Sequence, residues 1–133
     1  MPFRFEWMDE TKYAMRYVVE GDWNWKSYHH AVRASTFSMT GDDHPIDSVI
    51  DLRGSTRPDL PSGLLGHVRS FGKKNQHRLS GRAVVIGMPA EGLTILQLQD
   101  DKTLPTTDGF VLFVDTQEEL EQVLQDWASH PPQ

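Results

Sequence analysis

The run Ala83-Val84-Val85-Ile86, framed by Arg82 and Gly87, constrains the fold more than any other feature of the chain. Four consecutive apolar residues closed by a glycine read as a buried strand. Ser48-Val49-Ile50-Asp51-Leu52 reads as a second short buried strand, and Phe110-Val111-Leu112-Phe113-Val114 as the last one. Helical stripes lie between them. Leu60, Leu64, Leu65, Val68 and Phe71 share one face of a helix whose first turn holds Pro61 and which Gly72 is placed to end. A short helix is expected at 91–98, then a loop containing Pro105 and Gly109. Thr116 and Glu119 have the spacing of a capping box, and Leu120, Val123, Leu124 and Trp127 follow at i, i+3, i+4 and i+7.

Upstream, Phe3, Phe5 and Trp7 alternate with Arg4, Glu6 and Met8, a period of two. Tyr13 to Glu20 is rich in β-formers, and Asp9-Glu10-Thr11-Lys12 supplies turn chemistry, so the two runs form a hairpin. Asn24 is placed to cap a helix carrying Trp25, Tyr28, Val32 and Met39, which the loop from Thr40 to Pro45 stops. The order is therefore β-β-α-β-α-β-α-β-α. Strands separated by helices need crossovers, which give a mostly parallel sheet with right-handed connections. The expected fold is a single compact α/β domain over 1–133, with its core at about 3–128. Its mixed sheet has about five strands with an N-terminal antiparallel hairpin, beside about four helices.

A chain of 133 residues, 38% hydrophobic and 24% charged, is one ordinary globular domain. No stretch approaches the roughly 18 apolar residues of a membrane span. Glu6 stands where a signal peptide would have its apolar core, so a cytoplasmic location is expected. The lack of cysteine excludes disulfides, thiolate nucleophiles, cysteine-ligated zinc and iron–sulfur clusters. A formal charge of −6 disfavours nucleic acid as a partner, and the short basic cluster from Arg69 to Arg78 reads as a solvated helix end.

The segment from Arg53 to Gly63 follows the carboxyl end of a strand and leads into a helix N-terminus. Ligands of open α/β sheets collect at that edge, where free N–H groups favour anions. Arg53, Ser55, Thr56, Arg57, Ser62 and Gly63 are the candidate ligand- or partner-binding residues, suited to a phosphate or carboxylate. The same stretch also reads as a solvated connecting loop with a helix cap, and it matches neither nucleotide-binding glycine pattern. His29 and His30 point about 100° apart on a helix, and Asp42-Asp43-His44 lacks a second ligand set, so no metal and no cofactor are expected. Ser62 and His67 lie on different parts of a helix surface, and no nucleophile elbow is present. No catalytic residue is named, and the chain is expected not to be an enzyme. Trp23 and Trp25 flank the first helix cap, either as core packing or as an exposed aromatic pair.

Taken together, four segments resemble the STAS domains, the family of bacterial anti-sigma-factor antagonists and their SpoIIAA-like relatives. They are Ile50-Asp51-Leu52-Arg53, Asp59-Leu60-Pro61-Ser62-Gly63-Leu64-Leu65, Ala83-Val84-Val85-Ile86-Gly87 and Phe113-Val114-Asp115-Thr116-Gln117-Glu118-Glu119-Leu120. Order and spacing agree over about 46–127, and Gly21-Asp22-Trp23-Asn24-Trp25 suits the SpoIIAA-like branch. The resemblance implies a non-enzymatic regulatory module that binds a protein partner. In some members the helix start is switched by serine phosphorylation; Ser62 matches that serine, and Gly63-Leu64 the residues after it. Here the spacing from Asp59 to Ser62 is one residue longer, and Pro61 replaces the usual hydroxyl residue. The comparison of such folds with SEC14 adds a second expectation, a carrier of a small apolar ligand held between helices and sheet. Homo-oligomers fit either reading.

Overall fold

The first two apolar runs pair as a hairpin, β1 (Phe3–Trp7) antiparallel to β2 (Ala14–Gly21), with Phe5 opposite Tyr17. A computed structural model describes residues 3–8, 13–21, 23–35, 45–55, 79–95, 102–106 and 109–130 of the chain. After β2 come α1 (Trp25–Ser35), β3 (Ile46–Ser55), β4 (Leu79–Ile86) and α2 (Ala90–Ile95). Then follow β5 (Thr103–Pro105), β6 (Phe110–Val114) and α3 (Gln117–Ser129). The sheet order is β1-β2-β3-β4-β6-β5. The four inner strands are parallel, and β1 and β5 close the two edges antiparallel.

The apolar run of β4 occupies the middle because its two sets of side chains enter two different cores. Ala83 and Val85 join Met15, Tyr17, Ile50 and Phe113 beneath α1, which contributes Trp25, Tyr28 and Ala31. Val84 and Ile86 join Val49 and Val114 beneath α3, which contributes Leu120 and Trp127. A parallel strand covered on both faces reads as a continuous hydrophobic run for this reason. Both expected caps form. The Asn24 carboxamide oxygen accepts the Ser27 N–H at 2.8 Å. Thr116 Oγ1 accepts the Glu119 N–H at 3.1 Å while Glu119 reaches back to the Thr116 N–H.

The structure differs from expectation in its strand count, which is six among the described residues rather than about five. The extra strand, β5, lies in the segment read as a loop around Pro105. Its three residues are too few to show a period, and they extend because Leu104 pairs with Val111 and is buried in the core beneath α1. The strand read as 48–52 is also longer, running from Ile46 to Ser55. Three helices are described. The expected helix from Leu60 to Gly72 lies outside the described residues, as do Met39, Asp42, His44 and the basic cluster. No described helix is long and apolar enough to cross a membrane.

Candidate functional site

The carboxyl end of the parallel strands is drawn tight by glycine. Gly87, directly after β4, has φ +91°, and a Cβ there would stand 2.9 Å from the Arg53 nitrogen. β4 therefore turns away while pressed against the end of β3, and only a residue without a side chain fits. This packing presents Arg53 and Ser55 at the strand edge. Thr56, Arg57, Ser62 and Gly63 lie outside the described residues.

Arg53 turns back on its own strand. Its backbone N–H and Nε–H donate to Asp51 Oδ1 at 3.0 Å, and its Nη2 donates to Oδ2 at 2.8 Å. Arg16 of β2 donates to the same Oδ2 at 2.5 Å from the other side. The Asp51 side chain is 4% exposed. Its burial pushes the carboxyl pKa up, but the hydrogen bonds from Arg53 and Arg16 outweigh that and hold it at about 2. Asp51 is therefore an anion at neutral pH, committed to two cations.

The pairing continues across the sheet. Arg16 approaches Glu6 at 3.8 Å, Glu6 approaches Arg4 at 3.9 Å, and Arg4 donates to Glu20 at 3.1 Å. Arg53, Asp51, Arg16, Glu6, Arg4 and Glu20 thus form one ladder of alternating charge that runs from β3 through β2 to β1 and returns to Glu20 at the end of β2. Strand alternation opposite the core beneath α1 puts the ladder on the α3 side of the sheet. No short window of sequence contains this arrangement, because its members meet only through strand register. The one visible hint is the charge alternation within β1 and β2.

Ser55 is half-buried, and its hydroxyl accepts the indole N–H of Trp23 at 2.8 Å. Trp23 meets Trp25 edge to face at 4.9 Å, and Trp25 meets Tyr28 at 5.7 Å. Trp23 and Trp25 are 3% and 7% exposed, which settles them as core packing rather than an exposed pair. Below them the Tyr17 hydroxyl lies 2.6 Å from Ser35 Oγ, fully buried, and Ser35 in turn donates to the Val32 carbonyl at 2.7 Å. Burial pushes the Tyr17 phenol up to about 12, the Ser35 hydrogen bond only partly opposing it, and burial raises the Tyr28 phenol further.

The opposite end of the sheet holds a second feature that sequence reading did not find. A cavity of about 490 Å3 opens between α3 and the start of β2. Met8, Tyr13, Ala14, Leu124 and Ala128 line it, with Glu121 and Asp47 as its carboxylates. Asp47 is taken by Arg82, which donates to both carboxylate oxygens at 2.9 and 2.8 Å. Among the described residues no group of three or more potential metal ligands converges.

No protein-family model matches the chain, and no curated protein matches it in sequence. Among solved structures it is similar to an uncharacterized protein of the DUF3478 family with a SpoIIAA-like fold, from Shewanella loihica PV-4. The TM-score is 0.53 at 14% identity, with 92% of this chain and 91% of the other covered. The chain has a SpoIIAA-like fold, as its strand and helix motifs led one to expect.

Proposed function

We propose, on the premise of the SpoIIAA-like fold, that this chain is a non-enzymatic, STAS-type regulatory module that recognises a protein partner in the cytoplasm. The recognition surface is the strand edge and the segment after β3, beginning at Arg53 and including Thr56, Arg57, Ser62 and Gly63. The observation that carries this reading is the fold itself. The chemistry at the edge supports it. With a pKa of about 2, Asp51 neither gives nor takes a proton at neutral pH, so it serves as a fixed anchor for Arg53 and Arg16. Phosphorylation of Ser62 would add about two negative charges to that surface and change what it binds.

The test places a photo-crosslinking amino acid at Arg57 in the intact chain inside cells. A discrete protein adduct from position 57, absent when the crosslinker replaces the exposed Gln122 of α3, supports the reading. No adduct from position 57 refutes it. A Ser62→Glu chain giving the same adduct yield as wild type removes the phosphoswitch and leaves the docking surface.

The cavity beneath α3 favours a second reading, a carrier of a small apolar ligand. Its volume falls within the range of ligand pockets, and Met8, Ala14, Leu124 and Ala128 supply apolar walls. Native mass spectrometry distinguishes the two. A co-purified small molecule lost on unfolding supports the carrier, whereas a clean mass removes it.

A further inference from the structure

The outer edge of β1 has the pattern of a self-complementary strand. The Met8 N–H donates to the Ala14 carbonyl at 3.0 Å, in the same register that sets Glu6 opposite Arg16 and Arg4 opposite Val18. Hydrogen-bonded pairs alternate in an antiparallel ladder, so Arg4, Glu6 and Met8 direct their main-chain groups inward to β2. The N–H and C=O of Phe5 consequently face outward. Among the described residues no strand pairs with that edge.

A second β1 docking antiparallel can use outward groups only in registers that set odd residues opposite odd residues. Centring the pair on Arg4 or on Glu6 places like charges directly opposite. Centring it on Phe5 pairs Phe5 with its own copy, Arg4 with Glu6 and Glu6 with Arg4. This register alone both uses the outward backbone groups and sets Arg4 opposite Glu6. The side chains are available, Arg4 being 61% and Glu6 47% exposed. The ladder across the sheet also becomes continuous through the two-fold axis, since Arg4 would stand between its own Glu20 and Glu6 of the second copy. The two edges of the sheet differ accordingly. β5 is three residues long and ends in Pro105, two devices that blunt an edge, whereas β1 pairs with β2 through five residues without a register shift.

We infer that two copies of this chain associate through antiparallel β1–β1 pairing centred on Phe5, joining their sheets into one. Cross-strand Arg–Glu pairs fix the register, as opposite charges facing each other are favourable and like charges are not. The association is isologous, so each Arg4–Glu6 pair occurs twice.

The test is a charge exchange read by sedimentation equilibrium. Wild type is expected to dimerise. Arg4→Glu faces Glu with Glu at both pairs, and Glu6→Arg faces Arg with Arg, so each variant alone is expected to self-associate about tenfold more weakly or not at all. Mixed one to one, the two variants face opposite charges at every pair and are expected to form a heterodimer. Thermal unfolding of each variant checks that these exposed substitutions leave the fold intact. Exchange of the Phe5 amide is expected to slow as wild-type concentration rises. A monomeric wild type, single variants that dimerise like wild type, or a mixture that stays monomeric would each overturn the inference.

Discussion

Arg82 holds Asp47 through both carboxylate oxygens, and the same guanidinium fastens the end of α3. Its Nη1 donates to the His130 carbonyl at 2.7 Å, Nη2 reaches the Trp127 carbonyl at 3.3 Å, and the group lies 5.0 Å from the Trp127 ring centroid. A cation at a helix C-terminus satisfies carbonyls that have no partner within the helix and opposes the negative end of its dipole. Ser80 adds a 2.6 Å hydrogen bond to Asp47, so the buried carboxylate is fully occupied. One arginine from β4 thereby joins β3, β4 and α3.

Arg82→Ala is expected to cost about 3–5 kcal/mol, because it leaves Asp47 buried without its cation and releases the α3 terminus. Arg82→Lys should cost less, since an ammonium keeps the charge but cannot span both oxygens and the carbonyls. Urea unfolding measures both. A loss for Arg82→Ala below about 1 kcal/mol, the value of an exposed pair, would refute the role.

Asp51 should make stability depend on pH at the acid end. Its folded pKa is lowered from 3.8 to about 2, so its contribution is present above the unfolded value and lost as pH falls through the folded one. Wild type should exceed Asp51→Asn by an extra margin of about 1–2 kcal/mol above pH 4, discounted for the partial exposure of Arg53. That margin should fade as pH approaches 2. Chemical denaturation of the two proteins across this window checks it, and a pH-independent difference would contradict it.

Gly87→Ala is expected to destabilise by about 2 kcal/mol or more. The new Cβ meets the Arg53 nitrogen at 2.9 Å and the Leu52 carbonyl carbon at 3.2 Å, both backbone atoms that cannot swing aside. Because the displaced atoms belong to the strand end bearing Arg53, the amide signal of Arg53 should shift more than that of Thr116. Equal stability of the variant and wild type would show that this edge is not tightly packed.

Tyr17 and Tyr28 should resist ionisation in the folded protein. Ultraviolet titration should show native phenolate from these residues only at about pH 12 for Tyr17 and later for Tyr28, with the missing signal appearing on unfolding. Tyr17→Phe removes the 2.6 Å contact with Ser35 and should cost about 1 kcal/mol. Full ionisation of all three tyrosines in the native state near pH 10 would contradict the burial.

Much of the fold was legible because its signals are local. The period of two in β1, the apolar run of β4, the Asn24 cap and the Thr116–Glu119 box each occupy a few consecutive residues. β5 was missed because three residues carry no period, and pairing with β6 decides their conformation. Of the candidate site, the sequence marked Arg53 and Ser55 at the end of a strand. It could not show that Arg53 folds back onto Asp51 or that Ser55 receives the Trp23 indole.

For the described elements it marked, the sequence alone determined the strand and helix periods and their caps, since each depends on φ/ψ preference and burial within a short window. Tertiary structure alone decided which charges meet. Arg16 and Asp51 are 35 residues apart, as are Arg82 and Asp47, and Arg82 reaches His130 across 48. Such contacts depend on strand register and on which face of the sheet α3 covers. A one-residue slip would send every one of these side chains to the other face.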